Sequence, residues 1–200
     1  MNLEELKTRA EACTSCRLAS TRTNVVFGVG DPNADLMLVG EAPGRNEDLQ
    51  GEPFVGAAGR LLNRFLGEIG IEREEVYIAN VLKCRPPNNR DPLPDEVESC
   101  KPFLREQLRL IDPQVVLTLG NFATRLLLKT DAGIGRLRGK AYRWWREKTL
   151  IPTYHPAAAL RGGDRIVEAM RFDFALVRQA LDGAARSEDP EPAQLELFDR

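Results

Sequence analysis

Four cysteines and a single histidine are the side chains of this 200-residue chain whose types and spacing point most directly to chemistry. Cys13 and Cys16 are separated by two residues, Cys84 follows after 67 more, and Cys100 after a further 15. Four thiolates can hold zinc tetrahedrally or bind an iron–sulfur cluster. The wide gap between Cys84 and Cys100 is unlike the paired CxxC of a zinc ribbon. Spacing alone leaves three readings open: an iron–sulfur site, a zinc site, and four separate buried thiols packing as small hydrophobes. His155 is alone of its kind, which excludes multi-histidine metal sites. Any metal must therefore rest mainly on the cysteines.

These residues need elements to position them. Leu3–Ala12 has helical composition and runs into the CxxC. Asn24–Gly28, Asp35–Gly40, Glu75–Val81, Gln114–Gly120 and Thr149–Tyr154 read as short strands. Between them, Ala58–Ile69, Asp95–Ile111, Asn121–Lys129 and Asp164–Leu181 carry apolar residues at helical spacing, with Asp95 placed to cap its helix. Lys83–Pro94 holds four prolines and must be irregular. Strands that alternate with helices predict an α/β fold: one three-layer domain over residues 1–185, its mostly parallel central sheet flanked by helices. Ligands of such sheets bind beyond the carboxyl ends of the strands. Glu41-Ala42-Pro43-Gly44, Asn80 and His155-Pro156 all fall at predicted strand ends.

The formal charge of −2 does not suggest a nucleic-acid partner. That value is uneven along the chain. Ser187–Arg200 carries five acidic residues and one basic residue, leaving 25 acidic and 27 basic residues before it. Residues 186–200 read as an acidic, disordered tail. No run approaches the ~18 apolar residues of a membrane span, so no membrane partner is expected. The charged MNLEELKTRAEAC is unlike a signal peptide. The expected compartment is the cytoplasm, where thiols stay reduced, and the expected state is a monomer.

Taken together, Gly40-Glu41-Ala42-Pro43-Gly44-Arg45-Asn46-Glu47-Asp48, Gly51-Glu52-Pro53-Phe54-Val55-Gly56, Asn80-Val81-Leu82-Lys83-Cys84-Arg85-Pro86-Pro87 and His155-Pro156 resemble the family 4 uracil-DNA glycosylases of bacteria and archaea. The likeness covers roughly residues 1–182, in order. It implies a uracil-DNA glycosylase-like fold and a repair enzyme that flips uracil out of DNA and hydrolyses its N-glycosidic bond. It also implies that Cys13, Cys16, Cys84 and Cys100 are the ligands of a 4Fe–4S cluster.

The resemblance assigns roles residue by residue. Gly40, Glu41, Ala42 and Pro43 line the substrate site. Phe54 matches the stacking aromatic. Asn80 matches the residue that reads uracil N3–H and O4, a pattern cytosine cannot satisfy. His155 matches the histidine that stabilises charge developing on uracil O2. Two departures stand out. Ala42 occupies the position of the water-activating aspartate in the best-known enzymes, which leaves Glu41, Glu47 (with Asn89 as its partner) or a dissociative mechanism without base catalysis. Gly44 occupies the position of a tyrosine that blocks the thymine methyl, so another group must fill that space or selectivity is looser.

Lys83, Arg85 and Arg90 are expected to contact DNA phosphates around a stiffened Cys84 loop. Ala157–Arg161 resembles an insertion loop, with Leu160 as a wedge beside Arg161. The other reading makes it a helix start with Leu160 in the core. In the tail, Gln194-Leu195-Glu196-Leu197-Phe198 resembles the pentapeptide that binds the bacterial sliding clamp, so Gln194, Leu195, Leu197 and Phe198 are its expected contacts. The alternative is a segment packed back on the domain. Competing functions are an iron–sulfur electron carrier, a zinc-stabilised nucleic-acid-binding module without catalysis, and a sister glycosylase for another deaminated base.

Overall fold

A computed structural model describes residues 1–183 and the short strand Ser187–Glu188. The N-terminal stretch forms α1 (Leu3–Glu11), closed at its start by reciprocal Asn2 and Glu5 hydrogen bonds. The chain continues through β1 (Val29–Gly30), β2 (Leu36–Gly40), α2 (Arg45–Gln50), α3 (Ala57–Glu68), β3 (Tyr77–Asn80) and α4 (Pro94–Ile111). It then forms β4 (Val115–Leu119), α5 (Asn121–Leu128), α6 (Ile134–Leu137), β5 (Ala141–Arg143) and β6 (Thr149–Thr153). The described part closes with α7 (Pro156–Gly162), α8 (Asp164–Leu181) and β7 (Ser187–Glu188).

One sheet of order β1-β3-β2-β4-β6-β5-β7 forms the middle layer. Its four central strands, β3, β2, β4 and β6, run parallel, while β1 and β5 pair antiparallel with β3 and β6. The central strands read as continuous apolar runs because both faces are covered. Met37 and Val39 face a core with Leu104, Leu108 and Leu127, whereas Leu36 and Leu38 face Leu62, Phe65, Met170 and Phe174. The register aligns Gly40 with Asn80 and Leu119 with Thr153, so the strands end together.

Several expectations are corrected. Asn24–Gly28 is no strand. Asn24 donates its side-chain amide to the Asp48 and Leu49 carbonyls, and the Val26 N–H reaches the Lys83 carbonyl. Asp95 does not cap α4. The helix starts at Pro94, the Glu96 carboxylate accepts from the Leu93 N–H, and Asp95 instead pairs with Arg17. Ala157–Arg161 is the helix α7, not a loop. Within the expected tail, Ser187–Glu188 pairs in parallel with Ala141–Tyr142. The Gln194–Phe198 segment lies outside the described residues. Among the described residues, no helix is long and apolar enough to cross a membrane.

Candidate active site

Beyond the carboxyl ends of the central strands lies a cavity of about 450 Å³. The turn after β2 supplies Glu41, Ala42, Pro43 and Gly44, β3 supplies Asn80, and the end of β6 supplies His155. Phe54 and Glu47 complete the wall, with Pro86, Asn89, Arg90 and Arg161 at its edge. The residues assigned to base binding by resemblance therefore meet in one place. Gly40 lies beneath them, and its lack of a side chain is a steric requirement. A Cβ there would sit 2.3 Å from Asn80 Oδ1 and 2.8 Å from Phe54 Cζ.

Asn80 is 2% exposed, yet its side-chain amide has no hydrogen-bond partner among the described residues. A buried amide left unpaired costs ~1–3 kcal/mol. It borders the cavity, so a ligand presenting a donor and an acceptor would satisfy it. Phe54 adopts a left-handed backbone with φ of 54°, a conformation unusual for an aromatic residue. The start of α3 presses on it: a Cβ on Gly59 would lie 1.7 Å from the Phe54 carbonyl oxygen. The Phe54 ring centroid is 5.7 Å from that of His155.

His155 caps α7. Its Nδ1 accepts from the Ala157 N–H at 3.2 Å. That bond places the proton of a neutral ring on Nε2. Burial, aided by the Arg161 charge and opposed by Glu47, pushes the imidazole down to about 4. The ring is neutral at pH 7 and offers an N–H donor.

The two carboxylates differ. Glu47 Oε1 accepts from the Val55 and Gly56 N–H groups at 3.1 and 3.4 Å, tying α2 to the Phe54 loop. A Cβ on Gly44 would lie 2.7 Å from Glu47 Oε2, so this carboxylate occupies the space that Gly44 vacates. Glu41 has no hydrogen-bond partner for its side chain among the described residues. Burial, reinforced by Asp91, raises its pKa above the ordinary carboxylate value. Asn89 does not pair with Glu47. Its Oδ1 accepts from Arg85 Nε at 2.7 Å.

The basic residues divide in the same way. Lys83 is 1% exposed and cannot reach a phosphate, which corrects the expectation of a DNA contact. Basic residue type says nothing of burial, and this lysine points inward. Arg90 reaches the cavity edge but is held by both Glu96 oxygens, at 2.6 and 2.9 Å. Arg161 is exposed, and Leu160 beside it is 53% exposed on α7 rather than in the core. A second groove of about 830 Å³ shares Glu41, His155 and Arg161 and adds Asn121, Arg125 and Lys129. Residue type alone does not mark those three. Their only signal is a helix beginning directly after a strand end.

The four cysteines line one small, separate cavity, together with Arg22, Lys83 and Phe103. Arg22 Nη1 donates to Cys84 Sγ at 3.4 Å, and the Lys83 N–H donates to Cys100 Sγ at 3.2 Å. Burial raises the pKa of the Cys84 thiol and pushes that of Cys100 up to about 11. The role of Arg22 carries no sequence signal. Among the described residues, no three Cys, His, Asp or Glu side chains converge on a single-ion site.

Residues 27–180 match the model of the uracil DNA glycosylase superfamily. A protein of Archaeoglobus fulgidus named type-4 uracil-DNA glycosylase is 50% identical over 166 residues, 80% of this chain and 83% of that one. Its namesake from Sulfurisphaera tokodaii is 46% identical over 186 residues, 89% and 84% of the two chains. One from Thermotoga maritima is 47% identical over 162 residues, 80% and 83%.

Proposed function

The chain belongs to the uracil-DNA glycosylase superfamily, and on that premise we infer that it removes uracil from DNA, hydrolysing the bond between base and deoxyribose in DNA repair. The observation that carries this reading is the buried, unpartnered Asn80 amide facing a cavity between an aromatic ring and a neutral imidazole. A uracil flipped out of the stack stacks on Phe54, a contact worth ~1–3 kcal/mol. Asn80 accepts from N3–H and donates to O4. Cytosine offers neither match, so both groups would stay unpaired. As the glycosidic bond breaks, negative charge grows on the base. The His155 Nε2–H donates to O2, where a preorganised donor acts most strongly.

Ala42 cannot accept a proton, and Glu47 is anchored through Oε1 by two backbone N–H groups. Glu41 is the carboxylate that takes a proton from water, and burial makes it a stronger base than an ordinary glutamate. Glu47 excludes the thymine methyl by filling the space beside Gly44. Leu160 fills the vacated stack from the exposed face of α7, with Arg161 and Arg85 on phosphates.

Cys13, Cys16, Cys84 and Cys100 are the proposed ligands of a 4Fe–4S cluster. Four thiols that line one cavity are a donor set for iron, and Arg22 and the Lys83 N–H are donors suited to anionic sulfur. Bound there, the cluster would supply a covalent tie between the end of α1, the Lys83–Pro94 loop and α4. The enzyme is read as a cytoplasmic monomer whose Gln194–Phe198 segment binds the sliding clamp. Clamp affinity of the tail peptide, abolished by Phe198→Ala, tests that last part, and no loss would refute it.

The test of function is incubation with a uracil-containing oligonucleotide followed by alkali cleavage. Strand breaks with the wild-type protein, sharply reduced in Asn80→Ala, are expected. No break, or an unchanged rate in Asn80→Ala, would overturn the reading.

A further inference from the structure

Lys83 is a fully buried lysine with no carboxylate partner among the described residues. Its Nζ donates to the Asn80 main-chain oxygen at 2.7 Å and to Gln107 Oε1 at 2.5 Å. Gln107 is itself held, because its Nε2 donates to the Phe27 carbonyl and the Tyr77 hydroxyl. The Lys83 main-chain N–H donates to Cys100 Sγ, and the residue lines the cysteine cavity. One residue therefore holds Asn80 with its side chain and a cysteine sulfur with its backbone.

The need for such a tie follows from the sheet. The β2–β3 register ends at Gly40 opposite Asn80, and although the Val81 and Leu82 N–H groups still donate to the Gly40 and Glu41 carbonyls, the Asn80 carbonyl itself takes its hydrogen bond from Lys83 Nζ. Among the described residues the Asn80 side chain has no partner of its own, so its aim depends on how its backbone is held.

We propose that Lys83 is a positioning residue for base recognition, anchoring the Asn80 carbonyl against the cysteine site so that the Asn80 amide is aimed at the base. This rests on reading Asn80 as the residue that recognises uracil. It replaces the surface role expected for Lys83 with an internal one.

A double-mutant cycle on the cluster-loaded protein tests it. Lys83→Met keeps chain length and removes the donor. Two readouts are compared in wild type, Lys83→Met, Asn80→Ala and the double variant. One is kcat/KM on a uracil oligonucleotide. The other is the Kd for an oligonucleotide carrying non-cleavable 2′-fluoro-2′-deoxyuridine, relative to undamaged DNA. Iron content and the visible absorption band report the cysteine site. Lys83→Met is expected to weaken both readouts about ten-fold, to shift the absorption band at full iron content, and to add nothing in the Asn80→Ala background. Equal losses in both backgrounds, or wild-type values, would overturn the proposal. If Lys83→Met does not fold, Gln107→Leu removes the other acceptor that orients the ammonium. It should give a smaller loss with the same dependence on Asn80, and a loss independent of Asn80 would again overturn it. Unchanged activity in Asn80→Ala alone would instead sink the base-reading role, a separate outcome.

Discussion

The base cavity and the cysteine cavity both draw on the segment from Asn80 to Cys84, yet they treat polar groups in different ways. Facing the base cavity, the Asn80 amide and the Glu41 carboxylate have no protein partners among the described residues. His155 spends only Nδ1 on its own helix. On the cysteine side each group is engaged: Lys83 and Gln107 hydrogen-bond each other, Gln107 is held by the Phe27 carbonyl, and Arg22 donates to the Cys13 carbonyl and Cys84 Sγ. A site that must release its ligand keeps donors and acceptors in reserve. A site that holds the fold together uses them within the protein, because a buried network stabilises only when complete.

The largest effect expected from this contrast is in the base cavity. On the proposed mechanism, His155→Ala removes the donor to the charge forming on O2. It should lower kcat roughly 10²–10³-fold with little change in thermal stability, measured by single-turnover cleavage and a melting curve. A comparable fall in melting temperature would show that this cavity is structural after all. Gly40→Ala should cut activity as well, but here with a loss of about 1–3 kcal/mol of stability, since its Cβ would collide with Asn80 and Phe54. Cys84→Ser should do the reverse of His155→Ala, with iron content and melting temperature falling first and activity following them.

Smaller effects sharpen the comparison within the base cavity itself. Glu47→Ala should permit cleavage of thymine paired with guanine above the wild-type level, by about ten-fold if the gain reflects a relieved methyl clash. Unchanged discrimination would place the exclusion elsewhere. The mildest effect is that of pH. The His155 pKa is pushed down to about 4 from 6.5, so the ring stays neutral through the range where an exposed histidine would charge. The histidine-dependent part of kcat should therefore hold between about pH 8 and 5 and fall only near 4. The unfolded chain takes up this proton first, so the matching contribution to stability is complete above 6.5 and fades as pH drops towards 4. A kcat limb centred near 6.5 that persists in Glu41→Gln would show the ring to be solvated.

Legibility in the sequence followed the range of the interactions. Leu36–Gly40 and Val115–Leu119 were readable because a strand buried on both faces is an unbroken apolar run. Ala141–Arg143 was not, being only three residues long. Asn24–Gly28 has strand composition, but hydrogen bonds to Asp48, Leu49 and Lys83 hold it outside the sheet. Asp95 looked like a cap because residue type and local position are all that a sequence shows, whereas the neighbouring Glu96 reaches the open N–H group.

The site divides along the same line. The sequence by itself determined the α/β class, the motif residues at the strand ends and the identity of the four thiols. Each of these rests on local pattern or residue type. Only the tertiary structure decided that Lys83 is buried while Arg161 and Leu160 are exposed, that Glu47 fills the place left by Gly44, and that the lone histidine carries its proton on Nε2. Burial and hydrogen-bond partners depend on segments far apart in the chain, and no local pattern encodes which of them will meet.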